Sequence, residues 1–217
     1  MIHSPPLSLA LFALLFLFLL LIFLVEIRVL TYAYRKVGVN PRYAFAVMLL
    51  SLLGAGVDIP LFAIGPVPST LTNRGTIVAM NVGGALIPIL VSMYLLARTG
   101  MLVRMAIATV IVAAVVHSLA YLVPGVGIAV PMIVPPLVAA GVALRLAFRR
   151  APPVAYVAGS MGTLIGADLS NLDKITGLGA PVASIGGAGT FDGIFLTGIL
   201  AVLLAGIASP SRPRPVW

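Results

Sequence analysis

The chain has 217 residues, 61% of them hydrophobic and 8% charged, with a net charge of +8 and no cysteine. A soluble domain carries about a quarter charged residues, so this chain cannot cover itself with polar surface and reads as an integral membrane protein. The missing cysteines exclude disulfides, thiolate catalysis and zinc–cysteine or iron–sulfur sites, and basic residues scattered singly between apolar runs exclude a nucleic-acid-binding face.

A spanning helix needs about 20 apolar residues. Seven runs qualify: 8–25, 44–66, 77–97, 105–123, 127–147, 154–171 and 182–208. The first, SLALFALLFLFLLLIFLV, has no Lys or Arg ahead of it and no small-residue cleavage site, so it reads as a retained helix rather than a signal peptide. The fourth and fifth are joined by VPGVG, a tight turn. The sixth is the weakest, being short and containing Asp168. The predicted fold class is all-α, a polytopic helix bundle in one transmembrane domain, 1–208. A basic, Pro-rich tail at 209–217 reads as disordered.

The basic residues give this layout an orientation. One set of loops holds Arg28, Arg35, Lys36, Arg42, Arg98, Arg104, Arg145, Arg149, Arg150, Arg212 and Arg214. The other holds Arg74 and Lys174. Positive charge marks the cytoplasmic side, so the N-terminus is expected outside and the C-terminus inside.

Three acids fall within apolar runs: Asp58, Asp168 and Asp192. At a helix centre each costs about 2.5–3.5 kcal/mol on insertion scales. Counted at about 1.5 Å per residue, all three fall in the outer half of the bilayer. His117 and Asn81 fall there as well. So do the helix breakers Pro60, Gly65-Pro66, Gly83-Gly84, Pro131, Pro135-Pro136 and Gly186, Gly187, Gly189. Irregular backbone at membrane depth needs protein or a water-filled cavity around it. The expectation is an outward-facing, partly hydrated cavity lined by carboxylates, with Asn171, Gly187, Gly189 and Thr190 beside them. Each residue also has a plainer role. Asn81 can cap the third helix, His117 can bond between helices, Asp58 can satisfy backbone freed near Pro60, and Asp168 can face water at a helix end. LLGAGVDIPLFAIG at 52–65 echoes SIGGAGTFDGIFLTG at 184–198, a pattern found in inverted-repeat transporters.

GTLIGADLSNLDKI (162–175), PVASIGGAGTFDGIFLTGILAVLLA (181–205) and NVGGALIPILVS (81–92) resemble a prokaryotic membrane family, domain of unknown function 1614, over roughly residues 44 to 208. That resemblance implies a polytopic membrane protein of bacteria and archaea, and no activity. A looser resemblance is to intramembrane aspartyl proteases of the presenilin, signal peptide peptidase and prepilin peptidase type. These carry one Asp on each of two neighbouring helices, the second directly after Gly-x-Gly. Here Thr190-Phe191 separates Gly187-Ala188-Gly189 from Asp192, and Ala167 rather than Tyr precedes Asp168.

Three functions follow. An aspartyl-protease-like hydrolase acting on a membrane peptide would use Asp168 and Asp192 as acid and base. A small cation- or proton-coupled transporter or channel, expected as a homodimer, would use Asp58, Asp168 and Asp192, with His117 as a proton carrier. A structural membrane protein would use the acids only to lock helices. No metal-ligand motif, nucleotide fingerprint or other cofactor signature is present.

Overall fold

The computed structural model describes residues 7–64, 76–123, 127–178 and 181–209, with side chains over 11–40, 43–64, 76–123, 127–175 and 181–209. Arg74, Gly65-Pro66, the centre of the VPGVG turn and the tail beyond 209 lie outside them.

Helix α1, Leu7–Val37, runs further than its apolar core because nothing between Ser8 and Val37 breaks a helix. It stops where Gly38 takes φ +97 and the Val39 N–H turns back to the Tyr34 carbonyl. Residues 11–25 are exposed throughout, as a lipid-facing helix requires, while Leu30, Ala33, Tyr34 and Val37 are buried against the bundle. Helix α2, Pro41–Gly54, returns alongside it.

The second run is not one span. After α2 the chain becomes strand β1, Asp58–Ile64. Proline cannot donate to a ladder and is confined to edge strands and bulges. β1 is an edge, and its register slips between Pro60 and Phe62. β1 pairs antiparallel with β2, Thr76–Asn81.

A π-helix, Val82–Leu86, leads from β2 into α3, Ile87–Thr99. Helix α4, Leu102–Leu119, follows. A hairpin then pairs β3, Tyr121–Val123, with β4, Gly127–Ala129. Helix α5 begins only at Val134, so Pro135 and Pro136 open a helix instead of interrupting one. The first helical turn has N–H groups with no intrahelical partner, so proline costs nothing there.

Helix α6, Ala151–Thr163, is the hub, buried on nearly every side by α3, α4, α5 and α7. It passes into a π-helix, Leu164–Asp168, and then a 3-10 segment, Leu169–Leu178, kinked at Asn171. Strand β5, Val182–Ile185, joins β2 in parallel, giving the order β1-β2-β5. Helix α7 is Gly193–Ala208.

The all-α expectation is therefore corrected: the chain is mostly helical but carries a three-stranded sheet and a hairpin. β-branched and aromatic residues beside Gly and Pro favour extended backbone once a partner strand is present. Among the described residues, three helices are long and apolar enough to cross a membrane: Leu11–Val37, Val82–Thr99 and Leu102–Leu119. Helices α2, α5, α6 and α7 have 14, 14, 13 and 16 residues, shorter than the runs that predicted them.

Chain direction places the turns α1–α2, α3–α4 and α5–α6 and the end of α7 at one end of the bundle. Arg35, Lys36, Arg98, Arg104, Arg145, Arg149 and Arg150 are there. The sheet, the hairpin and both π-helices are at the other. The sheet is seated by a small apolar cluster of Val78, Ala85, Leu164, Ile175, Ile185 and Ile194.

Candidate functional site

Three polar groups form at the sheet end. The first ties the strands together. Asp58 and Asn81 are opposite each other in the β1–β2 ladder. Asn81 Nδ2 donates to Asp58 Oδ1 and to the Ala55 carbonyl, both at 2.9 Å. Ser184 Oγ of β5 donates to the same Asp58 oxygen at 2.7 Å. Asn81 Oδ1 of the side chain accepts from the Gly84 N–H at 2.8 Å and so caps the π-helix. Asp58 is exposed at the start of a strand rather than eight residues deep in a helix. Its carboxylate is occupied by protein, as a locking residue requires.

The second group is built on Asn171. Its amide donates to the carbonyls of Gly166 and Ala167 at 3.0 and 2.8 Å, satisfying backbone freed by the π-helix. Lys174 Nζ donates to Asn171 Oδ1 at 2.5 Å, and His117 Nδ1 lies 3.5 Å from Asn171 Nδ2. His117 is exposed at the last turn of α4 and does not reach Asp58 by any described contact.

The third group is the acid pair. In an uninterrupted seventh helix, Asp192 would lie ten residues deep and well away from Asp168. The structure removes that mismatch. Residues 182–192 form a strand and tight turns, so Asp192 is the N-cap of α7 and its Oδ1 accepts the Ile194 N–H at 2.9 Å. The second π-helix carries the other acid. Asp168 is the last residue of that π-helix, which continues directly from α6. Asp168 and Asp192 end close enough for their charges to act on each other. Both are half-buried.

Glycine makes the turn before Asp192 possible. Gly186 and Gly189 take φ +74 and +62, a region that favours glycine. A side chain on Gly84 would overlap the Gly186 carbonyl, so the two backbones touch directly. Gly187 is exposed on this turn, and Thr190 is buried under it. Next to Asp192 lies a cavity of ≈ 330 Å³, lined by Val130, Pro131, Met132 and Pro135 on one side and Thr163, Phe191, Gly193, Leu196 and Thr197 on the other, with neither Asp168 nor Asp192 in its lining. It is largely apolar, with Thr163 and Thr197 among the residues of its wall.

Sequence reasoning missed Ser184 and Thr163. Ser184 had no signal, because its role depends on strand pairing across the whole chain. Thr163 had one: Tyr156, Ser160 and Thr163 recur at helical spacing on a single face of an otherwise apolar helix.

The family model for a protein of unknown function, DUF1614, matches residues 20–204. The chain belongs to this family. The match begins before α2, so the family's shared region takes in much of α1 as well as the Gly-rich C-terminal block. Comparison with curated proteins and with solved structures returned no match. Among the described residues, no group of three or more His, Asp or Glu side chains gathers as a metal site. Apolar helices and family together fit an integral membrane protein.

Proposed function

We propose that this DUF1614 protein is an aspartyl-protease-like hydrolase of the membrane, with Asp168 and Asp192 as its acid–base pair. The observation that carries the reading is that the Asp168 carboxylate lies within reach of the Asp192 charge, near an apolar cavity. Two carboxyls at close range resist joint ionisation and hold one proton between them. The ionised member takes a proton from water, which attacks the scissile carbonyl. The protonated member polarises that carbonyl and gives its proton to the carbonyl oxygen. The C–N bond then breaks as the leaving amine nitrogen takes the proton that the first acid drew from water, and the second acid takes back its proton from the hydroxyl of the collapsing diol. The substrate is an apolar peptide segment, which the cavity wall suits. β5 leads directly into the Asp192 turn and is an edge of the described sheet, so its main chain offers an extended peptide a partner.

The basic turns at one end support an orientation with that end cytoplasmic and the acid pair outside. In a prokaryote this places the chemistry at the outer leaflet of the plasma membrane.

The experiment is cleavage of apolar transmembrane peptides by the purified protein in liposomes, read by mass spectrometry. Asp168→Asn and Asp192→Asn are each expected to abolish cleavage. Cleavage surviving in either variant would end the proposal.

A second reading, proton- or cation-coupled transport, is favoured by one observation. Buried hydroxyls continue along α6 from the acid pair toward the basic end.

A further inference from the structure

The interior of the bundle carries hydroxyls that neither the sheet nor the acid pair uses. On α6, Thr163, Ser160 and Tyr156 are three and four residues apart, so they share one face. They are 2%, 0% and 1% exposed. Below them stands Tyr34 of α1, fully buried, its ring centroid 6.1 Å from that of Tyr156. Ser51 of α2, also fully buried, lies beside the Tyr34 hydroxyl, and the Tyr156 hydroxyl is flanked by Tyr34 and Ser160.

These groups are neighbours without being well-bonded partners. The hydroxyls of Tyr34, Ser51, Ser160 and Thr163 are all sealed from solvent and have no aligned hydrogen-bond acceptor or donor. Burying a hydroxyl in that state costs roughly 1–3 kcal/mol by mutational measures. Tyr34, Tyr156, Ser51 and Ser160 have only one another as loose partners and Thr163 has none, which is hard to sustain for packing alone, since Ala, Val and Phe would fill the same space without them. Polar interior cavities hold water that makes about three hydrogen bonds. The backbone of α7 packs directly against this face: a Cβ on Gly198 would overlap Ser160 Oγ, so the glycine is what lets that hydroxyl fit between α6 and α7.

The column has a mouth and an exit. Thr163 is in the wall of the cavity next to Asp192. Tyr34 is next in sequence to Arg35 and Lys36, in the last turn of α1 at the basic end. From Tyr156 to Asp168 the column climbs about 18 Å at helical rise, and Tyr34 extends it toward the opposite face.

We propose that Thr163, Ser160, Tyr156 and Tyr34, with Ser51, hold a file of water that conducts protons between the acid-pair cavity and the basic end of the bundle. Each hydroxyl or water accepts a proton from one neighbour while donating its own to the next. One proton leaves the far end for each that enters, no bond other than O–H is made or broken, and the chain then reorients. The path goes beyond the hydrolase reading, because it does not depend on what Asp168 and Asp192 act upon.

The test is proton flux into liposomes containing the full chain, with a pH-sensitive dye inside and a potassium–valinomycin potential across the bilayer. Wild type is expected to acidify the lumen faster than protein-free liposomes. Ser160→Ala and Tyr156→Phe should each lower that rate by about tenfold or more, the loss expected when a proton-transfer partner is removed. Tyr156→Phe keeps the ring and its packing, and thermal unfolding of each variant confirms the fold. Gly198→Ala, which pushes Ser160 aside without removing a hydroxyl, should also block flux. Wild-type flux no faster than empty liposomes overturns the proposal, and so does unchanged flux in folded Ser160→Ala and Tyr156→Phe. Peptide cleavage on the same preparations is scored separately. Ser160→Ala that loses flux yet cleaves leaves both readings standing, while loss of cleavage in Asp168→Asn with flux intact bears on the hydrolase alone.

Discussion

Ser184 gives its hydroxyl to Asp58 across 126 residues of chain, at 2.7 Å, and Asn81 gives its amide to the same carboxylate oxygen at 2.9 Å. One acid therefore clasps β1, β2 and β5. Hydrogen bonds to a charged group contribute about 1.5–3 kcal/mol. Asp58→Ala is expected to destabilise the protein by about that much and to leave the acid pair's chemistry in place. Thermal unfolding in detergent would measure it. The double variant Asp58→Ala/Ser184→Ala should cost less than the sum of the singles, because the two share a bond. Strict additivity would mean that the Asp58–Ser184 bond contributes nothing.

Backbone contact between glycines makes a second prediction. A methyl on Gly84 meets the carbonyls of Gly186 and Gly189, which are main chain and cannot rotate away. Overpacking of this kind costs about 1–3 kcal/mol. Gly141 is the control: it is exposed in α5 and a Cβ there meets nothing within 4 Å. Gly141→Ala should stabilise by up to about 1 kcal/mol through helix propensity, and Gly84→Ala should destabilise. Melting temperatures moving in the same direction would contradict the close approach.

Asp192 has two roles that a single substitution separates. As the N-cap of α7 it accepts the Ile194 N–H, and asparagine caps a helix as well as aspartate does. Asp192→Asn should thus keep near-normal stability while losing peptide cleavage by at least about 10²–10⁴-fold, the usual contribution of a positioned acid or base. Asp192→Ala should lose the same activity and a further 1 kcal/mol or so of stability. The comparison of melting temperature against cleavage rate checks both halves.

Much of this was legible in the residues and some was not. Charge placement located the bundle's two ends, because Arg and Lys sit in the turns whatever the helices do between them. Hydropathy overran the helices at Asp58–Ile64 and Val182–Phe191, because a window of apolar residues reads the same for a strand as for a spanning helix. The glycines and Pro60 marked where that would fail, but not that the failed segments pair with one another. That pairing joins residues more than a hundred positions apart, and no local pattern encodes it. Asp168 and Asp192 were a candidate pair from the residues alone, and the glycines pointed to a broken entry to α7; the π-turn that ends at Asp168 had no such local sign.

Orientation gives the last prediction, and the chain is well suited to it because it has no cysteine of its own. Ser118 is exposed at the sheet end, in the last turn of α4. Arg149 is exposed between α5 and α6 at the basic end. Ser118→Cys is expected to react in intact cells with a membrane-impermeant maleimide, and Arg149→Cys to react only after permeabilisation. The reason is energetic: moving the clustered Arg and Lys of the basic turns across the bilayer during insertion is the unfavourable alternative. Labelling in the reverse order would put the acid pair and its cavity on the cytoplasmic side. It would send any peptide substrate there too, so this result decides from which side peptides should be offered in the cleavage assay.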